Sequence, residues 1–267
     1  MNTYEVYPHA PLVLVALEVR HPATENISHV QQRELKRLLA DQFPVMRRTQ
    51  QATIQVDVPG TQPESLIEEF PKFFNRDNTI AISMRSSSIV IEATDYPGWV
   101  RFRSIVARAL QARMAVTPLD GVERIGLRYI DEVRVPAGTT WAEWLVESVL
   151  GPRPEVVQMP LSVWQGVAVY GDPQDHAVVL RYGPFDGVAV DSTELRRVRP
   201  VANPSYFLLD IDSYWTPSRG TPEFQLDEVM SKTDVLHSPV RVLFESVITD
   251  RYREEILRIN TPSEGQE

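Results

Sequence analysis

Apolar and polar residues alternate along Leu12–Arg20 (LVLVALEVR). Val13, Val15, Leu17 and Val19 form one row, and Leu14, Ala16, Glu18 and Arg20 form another that turns polar towards its end. A period of two predicts a strand covered on one face, and Pro22 stops it. Ser28 with Gln31 three residues on has the form of a capping box. The helix it opens carries Val30, Leu35, Leu38, Leu39 and Gln42 near helical spacing and ends before Pro44. Thr49–Val58 alternates again and is followed by a Pro/Gly turn. Glu64–Phe70 reads as a short helical piece. Thr79–Arg85 and Ser88–Asp95 predict a hairpin, with Ile80, Ile82 and Met84 facing Ile89, Ile91 and Ala93, and the serines before Ser88 belong to its turn. Trp99–Val116 has Trp99, Phe102, Val106, Ala109, Leu110 and Met114 at i, i+3, i+4 spacing, the stripe of an amphipathic helix.

A similar series begins again after Gly121. Glu123–Val135 is a long alternating strand, Thr140–Leu150 a predicted helix, and Ser162–Tyr170 with His176–Tyr182 a hairpin around Gly171-Asp172-Pro173. Tyr206–Trp215 is another strand. Phe224–Leu257 is helical with an expected break at His237-Ser238-Pro239, which would put Pro239 in the first turn of the last helix. Both segments then read β-α-β-β-β-α. The expected fold class is α+β: antiparallel sheet with helices on one face. The equal order suggests a tandem duplication, with halves at 1–120 and 121–259 and a disordered tail at 260–267.

Following parity across these strands leaves a polar set on the side away from the helices. It comprises Glu18 and Arg20, Gln55 and Asp57, Arg85, and Glu92. It continues with Arg124, Arg128, Glu132 and Arg134, then Tyr206, Asp210, Asp212 and Tyr214. Arg181 shares its row with Ala177 and Val179. The mixed signs predict cross-strand pairs such as Arg128 with Asp210 or Asp212, each contributing about 0.2–1 kcal/mol on an exposed sheet. The candidate ligand-binding residues are therefore Glu18, Arg20, Arg128, Arg181, Asp210, Asp212 and Tyr214.

Gly126-Leu127-Arg128-Tyr129-Ile130-Asp131 resembles the Gly-Leu-Arg-Tyr-Ile-Asn signature of a sporadically distributed family of bacterial and archaeal proteins to which no activity is assigned. Ala10–Val13, Tyr96–Phe102, Leu208–Asp212 and the stretch from Leu236-His237 through Phe244 to Ile248-Thr249 fit the same pattern. Asp131 stands in place of Asn, and Leu14 stands where members often carry Glu. The resemblance implies a shared fold and transfers no catalytic residue. Its sporadic distribution points to a place beside an effector in a mobile defence or toxin–antitoxin-like operon.

Composition narrows the chemistry. The chain has 267 residues, 43% hydrophobic and 24% charged, with no cysteine and a net charge of −9. No membrane span or secretory signal is expected. Disulfides, thiolate metal sites and a thiol nucleophile are excluded, and a reducing cytoplasm is the expected location. Broad nucleic-acid binding is disfavoured by the charge. Lysine occurs only at Lys36, Lys72 and Lys232, so the basic residues are chiefly arginine. The short clusters Arg47-Arg48 and Arg196-Arg197 with Arg199 read as solvated loop charges. His9, His21, His29, His176 and His237 show no metal-ligand spacing, and no Walker loop, nucleophile elbow or dinucleotide fingerprint is present. Asp210 and Asp212, roughly 7 Å apart along a strand, are weak candidates for a hard cation. Trp141 and Trp144 would share a helix face, with Trp164 nearby, as core. No cofactor is expected, and catalysis is left open.

Two functions fit. The first is a non-enzymatic binding or regulatory protein, whose acidic charge suits a basic protein partner. A surplus apolar edge on the last helix could serve a homodimer. The alternative is an enzyme or sensor for a small anionic ligand, a nucleotide or polyphosphate, held by Arg20, Arg128 and Arg181 with a metal on Asp210 and Asp212.

Overall fold

The computed structural model describes residues 7–55, 64–152, 159, 163–191, 193–201 and 203–258, with the backbone alone for 51–55 and 64–67. The end of the predicted strand at 56–58, the turn after it, Asp57, Ser162 and the tail at 260–267 lie outside the described residues.

Strand β1 (Leu12–Arg20) buries Val13, Val15, Leu17 and Val19, as its alternation requires. The next element, α1 (His29–Leu39), starts at Ser28. The Ser28 backbone N–H donates to Gln31 Oε1 at 2.8 Å, and Ser28 Oγ accepts the Gln31 N–H at 3.4 Å. Its buried face is Gln32, Leu35 and Leu39, whereas Val30 is exposed. After β2 (Val45–Gln55) comes β3 (Glu64–Phe74), which corrects the helix expected at 64–70. The spacing of Leu66, Ile67 and Phe70 suits either structure. An eleven-residue antiparallel ladder with β2 decides for strand, because long-range pairing outweighs a short helical preference. Pro71 sits one residue before β3 gains its second neighbour, where one side has no ladder to complete.

The hairpin β4 (Ile80–Met84) and β5 (Ser88–Ala93) and the helix α2 (Trp99–Val116) form where the periodicity places them. After β6 (Arg124–Val133), the helix expected at 140–150 is replaced by two 3₁₀ turns, Trp141–Glu143 and Glu147–Val149. Between them Leu145 bridges Ile248 and the Val146 N–H donates to Val247 O at 3.1 Å, so this backbone is extended and cannot continue a helix. Trp144 is still buried, against Tyr252, while Trp141 and Trp164 both pack on Phe207.

The strands β7 (Gly166–Gly171), β8 (His176–Asp186) and β9 (Ser205–Trp215) follow. The helix α3 (Leu226–Val247) runs through Pro239 without the expected break. Pro239 removes one donor, leaving the Val235 carbonyl without its helical partner on the side where Val235 and Ser238 are exposed. Leu236 and Val240 on the opposite side are buried and hold the helix together. A short helix α4 (Asp250–Tyr252) and a π-type turn (Arg253–Leu257) complete the described chain.

Among the described residues the strands form one nine-stranded antiparallel sheet in the order β2-β3-β4-β5-β1-β6-β9-β8-β7. Pairing of β1 with β6 makes the sheet continuous across residue 121. The element orders are therefore β-α-β-β-β-β-α and β-β-β-β-α with 3₁₀ turns, not two copies of β-α-β-β-β-α. One row from the strands, including Leu17, Ile82, Ile91, Leu127, Leu180 and Leu209, joins the buried residues of α1, α2 and α3 in a single core. Each such side chain removed from water stabilises by roughly 1.5–3 kcal/mol. Among the described residues no helix is long and apolar enough to cross a membrane.

The opposite row forms a second face, and part of it is covered. The connection from β8 to β9 (residues 187–204, with 192 and 202 outside the described residues) reaches back as a strap. Leu195 is buried against Phe74 and Ala81, with Leu14 and Val45 packed around it. Leu14 thus helps to seat the strap. Glu132, nearly fully buried, anchors the other end. It accepts the Ala189 N–H at 2.7 Å, Arg197 Nη1 at 2.9 Å and Arg134 Nη2 at 2.6 Å. Burial alone would raise the Glu132 carboxyl, but the hydrogen bonds from Arg197, Arg134 and the amide hold it below the usual range.

Candidate functional site

The remaining, open part of the second face carries the charged residues singled out in the sequence. Register puts Glu18 beside Gly126, Gly126 beside Tyr214, Arg128 beside Asp212, and Asp210 beside Arg181. All seven candidates, Glu18, Arg20, Arg128, Arg181, Asp210, Asp212 and Tyr214, therefore lie on the same side of neighbouring strands.

Their contacts form two chains. Arg20 Nε donates to Glu18 Oε2 at 2.8 Å, and Arg124 lies 3.5 Å from that oxygen and 3.3 Å from Asp212 Oδ2. In the second chain Arg128 grips Asp210 with both arms, Nε to Oδ1 at 2.7 Å and Nη2 to Oδ2 at 2.8 Å. Arg181 Nη1 stands 3.5 Å from the same carboxylate. The expected pairing of Arg128 with Asp210 forms, diagonally across the strands, while Asp212 is held by Arg124.

Arg124 is the member that sequence reasoning left out of the site. Its guanidinium lies over Gly126, where a Cβ would collide with it, and its Cζ is 4.7 Å from the centre of the Tyr214 ring. Gly126 thus makes room for a side chain two residues away on the same face. Alternation placed Arg124 on this row, but only the cross-strand register shows it bridging Glu18 and Asp212.

Burial is graded across the site. The Asp210 side chain is 4% exposed, whereas those of Arg128 and Arg181 are 48% and 47% exposed. A buried carboxylate thus holds two guanidiniums whose outer edges face solvent. The hydrogen bonds to Asp210 raise the Arg128 pKa, against its partial burial. Burial raises that of Asp212, against the pull of Arg124 and Arg128. A cation between Asp210 and Asp212 would have to approach these guanidiniums, so the pair is poorly set for a hard metal. Among the described residues no group of three acidic or histidine side chains could hold a metal ion.

Of the other sequence candidates, Arg85 covers the Phe70 ring and Glu92 pairs with Lys72. Glu132 and Arg134 belong to the strap anchor. The side chain of Gln55 and the whole of Asp57 are outside the described residues.

A second polar cluster, on the core side, was not legible beforehand. Tyr129 Oη lies 3.1 Å from His237 Nδ1 and 3.2 Å from Tyr96 Oη. His237 stacks on Trp99 at 4.0 Å between centroids, and Trp99 Nε1 and Arg103 donate to Asp234. This ties β6, α2 and α3 together. Burial lowers the His237 pKa to about 4, so the ring is neutral at physiological pH.

Asp131 is also buried on the core side, beside Leu12 and Leu209. Burial first, and Asp210 second, push its carboxyl up to about 8. It is therefore protonated and uncharged at pH 7.

No family model and no curated protein matches this chain.

Proposed function

We propose that the protein acts by binding a protein partner across the open end of the second face. The observation that carries this reading is the form of the surface: two pre-ordered chains of Arg, carboxylate and Tyr side chains spread over β1, β6, β9 and β8, with half-exposed guanidiniums on a buried carboxylate. Arginine and tyrosine are the residue types that dominate protein interfaces, and side chains already fixed by neighbours lose little freedom on binding. The four arginines of this patch outnumber its three carboxylates. The whole-chain charge of −9 suggested a basic partner, but the local balance favours acidic groups against Arg128 and Arg181.

The same proposal includes a non-enzymatic role in the cytoplasm and kinship with the family that the Gly126–Asp131 stretch resembles, with its operon setting. It also includes an architecture of helices on one face, arising by tandem duplication. In support of duplication, the first strand of each half pairs with the last strand of that half, β1 with β5 and β6 with β9, and β1 and β6 meet at the centre of the sheet.

The test is a pull-down from the native host with the wild-type chain and with Arg20→Gln combined with Arg181→Gln, two half-exposed positions. The expected result is a co-purifying protein that the variant loses while its thermal unfolding is unchanged. Equal retention by the variant overturns the proposal. So does stabilisation of the wild type by a nucleotide that depends on Arg181.

A further inference from the structure

The two short basic clusters at Arg47-Arg48 and Arg196–Arg199 are some 150 residues apart in the chain. The fold brings Arg47 of the first cluster and Arg196 and Arg197 of the second to a single open cleft of about 440 Å³, lined also by Asn78, Thr193 and Glu194. Arg47 comes from β2, Asn78 from the turn between β3 and β4, and the others from the strap.

The counter-charges are unevenly distributed. Glu194 is engaged by Lys72 at 2.6 Å, and Arg197 is engaged by Glu132. Arg47 covers the Phe74 ring, with Cζ 4.5 Å from its centre, and donates to the neutral Asn78 Oδ1 at 3.0 Å. Arg196 Nε donates to the Asp77 carbonyl at 3.1 Å. Among the described residues neither guanidinium pairs with a carboxylate, although the chain as a whole carries −9.

Asn78 joins the two arms. Its φ of 53° is the left-handed conformation, uncommon outside glycine and tolerated best by Asn and Asp. There its side chain accepts from Arg47 and its carbonyl accepts the Arg196 N–H at 2.7 Å. Among the described residues the two cations are thus positioned by neutral groups and make no direct ion pair, while Glu194 on the same rim shares Lys72 with Glu92.

We propose that this cleft binds a phosphate chain, a di- or triphosphate either free or carried by a nucleoside. A guanidinium fork matches phosphate oxygens, and two forks from separate segments suit a chain of phosphates better than one oxyanion. The depression is wide and open to solvent, as suits a charged and hydrated chain. Because Arg196 stands on the strap and Arg47 on the sheet, the ligand clasps one to the other. The site lies away from Arg20, Arg128 and Arg181, so it stands or falls independently of the partner surface.

The experiment is calorimetric titration of the full chain with sodium tripolyphosphate and with ATP, at low and at physiological salt, using the wild type, R47Q, R196Q and the control R37Q. Arg37 is exposed on α1 and paired with Glu34, so R37Q changes net charge without touching the cleft. Saturable binding is expected that weakens about tenfold or more in R47Q and in R196Q, as loss of a charge-assisted hydrogen bond implies, with R37Q unchanged. It should also weaken as salt rises. Equal affinity for the two ligands assigns the site to the phosphate chain alone; tighter binding of ATP assigns it to a nucleotide. Absence of saturable binding, or binding that R47Q and R196Q leave intact, overturns the proposal. Both substitutions are at exposed positions, and thermal unfolding of each variant confirms that it folds.

Discussion

Replacing Asp131 by Asn should stabilise the protein, and the gain should depend on pH. The carboxyl is buried on β6, and its pKa in the fold is about 8 against an ordinary 3.8. A carboxyl raised in this way favours folding only while protonated. Its contribution is complete below about pH 4, the unfolded value, falls as pH rises towards 8, and is constant beyond. By pH 7 roughly three pH units of that window have been crossed, at about 1.4 kcal/mol each, so the cost approaches about 4 kcal/mol. Asparagine has nearly the same shape and never ionises. Asp131→Asn should recover most of this at pH 7, less whatever its amide loses by burial, and almost none at pH 4. For a chain of this size the gain corresponds to a rise in Tm of about 10 °C. Urea or thermal unfolding followed by circular dichroism from pH 4 to pH 9, wild type against variant, measures the difference directly. A difference that is independent of pH, or that shrinks as pH rises from 4 to 8, would show instead that Asp131 is ionised in the fold at neutral pH.

Two other changes probe the strap and the hairpin. Glu132→Gln should cost about 2–4 kcal/mol, because Arg134 and Arg197 lose a buried carboxylate, and limited proteolysis should then cut within 187–204. Since the fold lowers the Glu132 pKa, its contribution is present above the ordinary carboxylate value and lost as pH falls through the lowered one, so the wild-type strap should become protease-sensitive only in acid. Gly171→Ala should cost about 1–3 kcal/mol, measured by urea unfolding, because φ is +86° and the added Cβ meets the His176 carbonyl.

The features legible along the chain are local ones. The alternation in β1, β4, β5 and β9, the capping box at Ser28 and the stripe of α2 depend on near neighbours, and they form where the pattern puts them. Parity along β1, β6 and β9 sufficed to place Glu18, Arg128 and Asp210 on one side. The elements that differ are those whose state is set by distant partners. Glu64–Phe74 is a strand because β2 offers an eleven-residue ladder, and residues 140–150 are broken because Leu145 bridges Ile248. α3 survives Pro239 because Leu236 and Val240 are packed on either side of it. Which arginine meets which carboxylate, where the strap crosses the second face and how Arg47 comes to share a cleft with Arg196 are likewise decided by tertiary structure. Each depends on strand order and register between segments far apart in the chain, and neither periodicity nor composition carries that information.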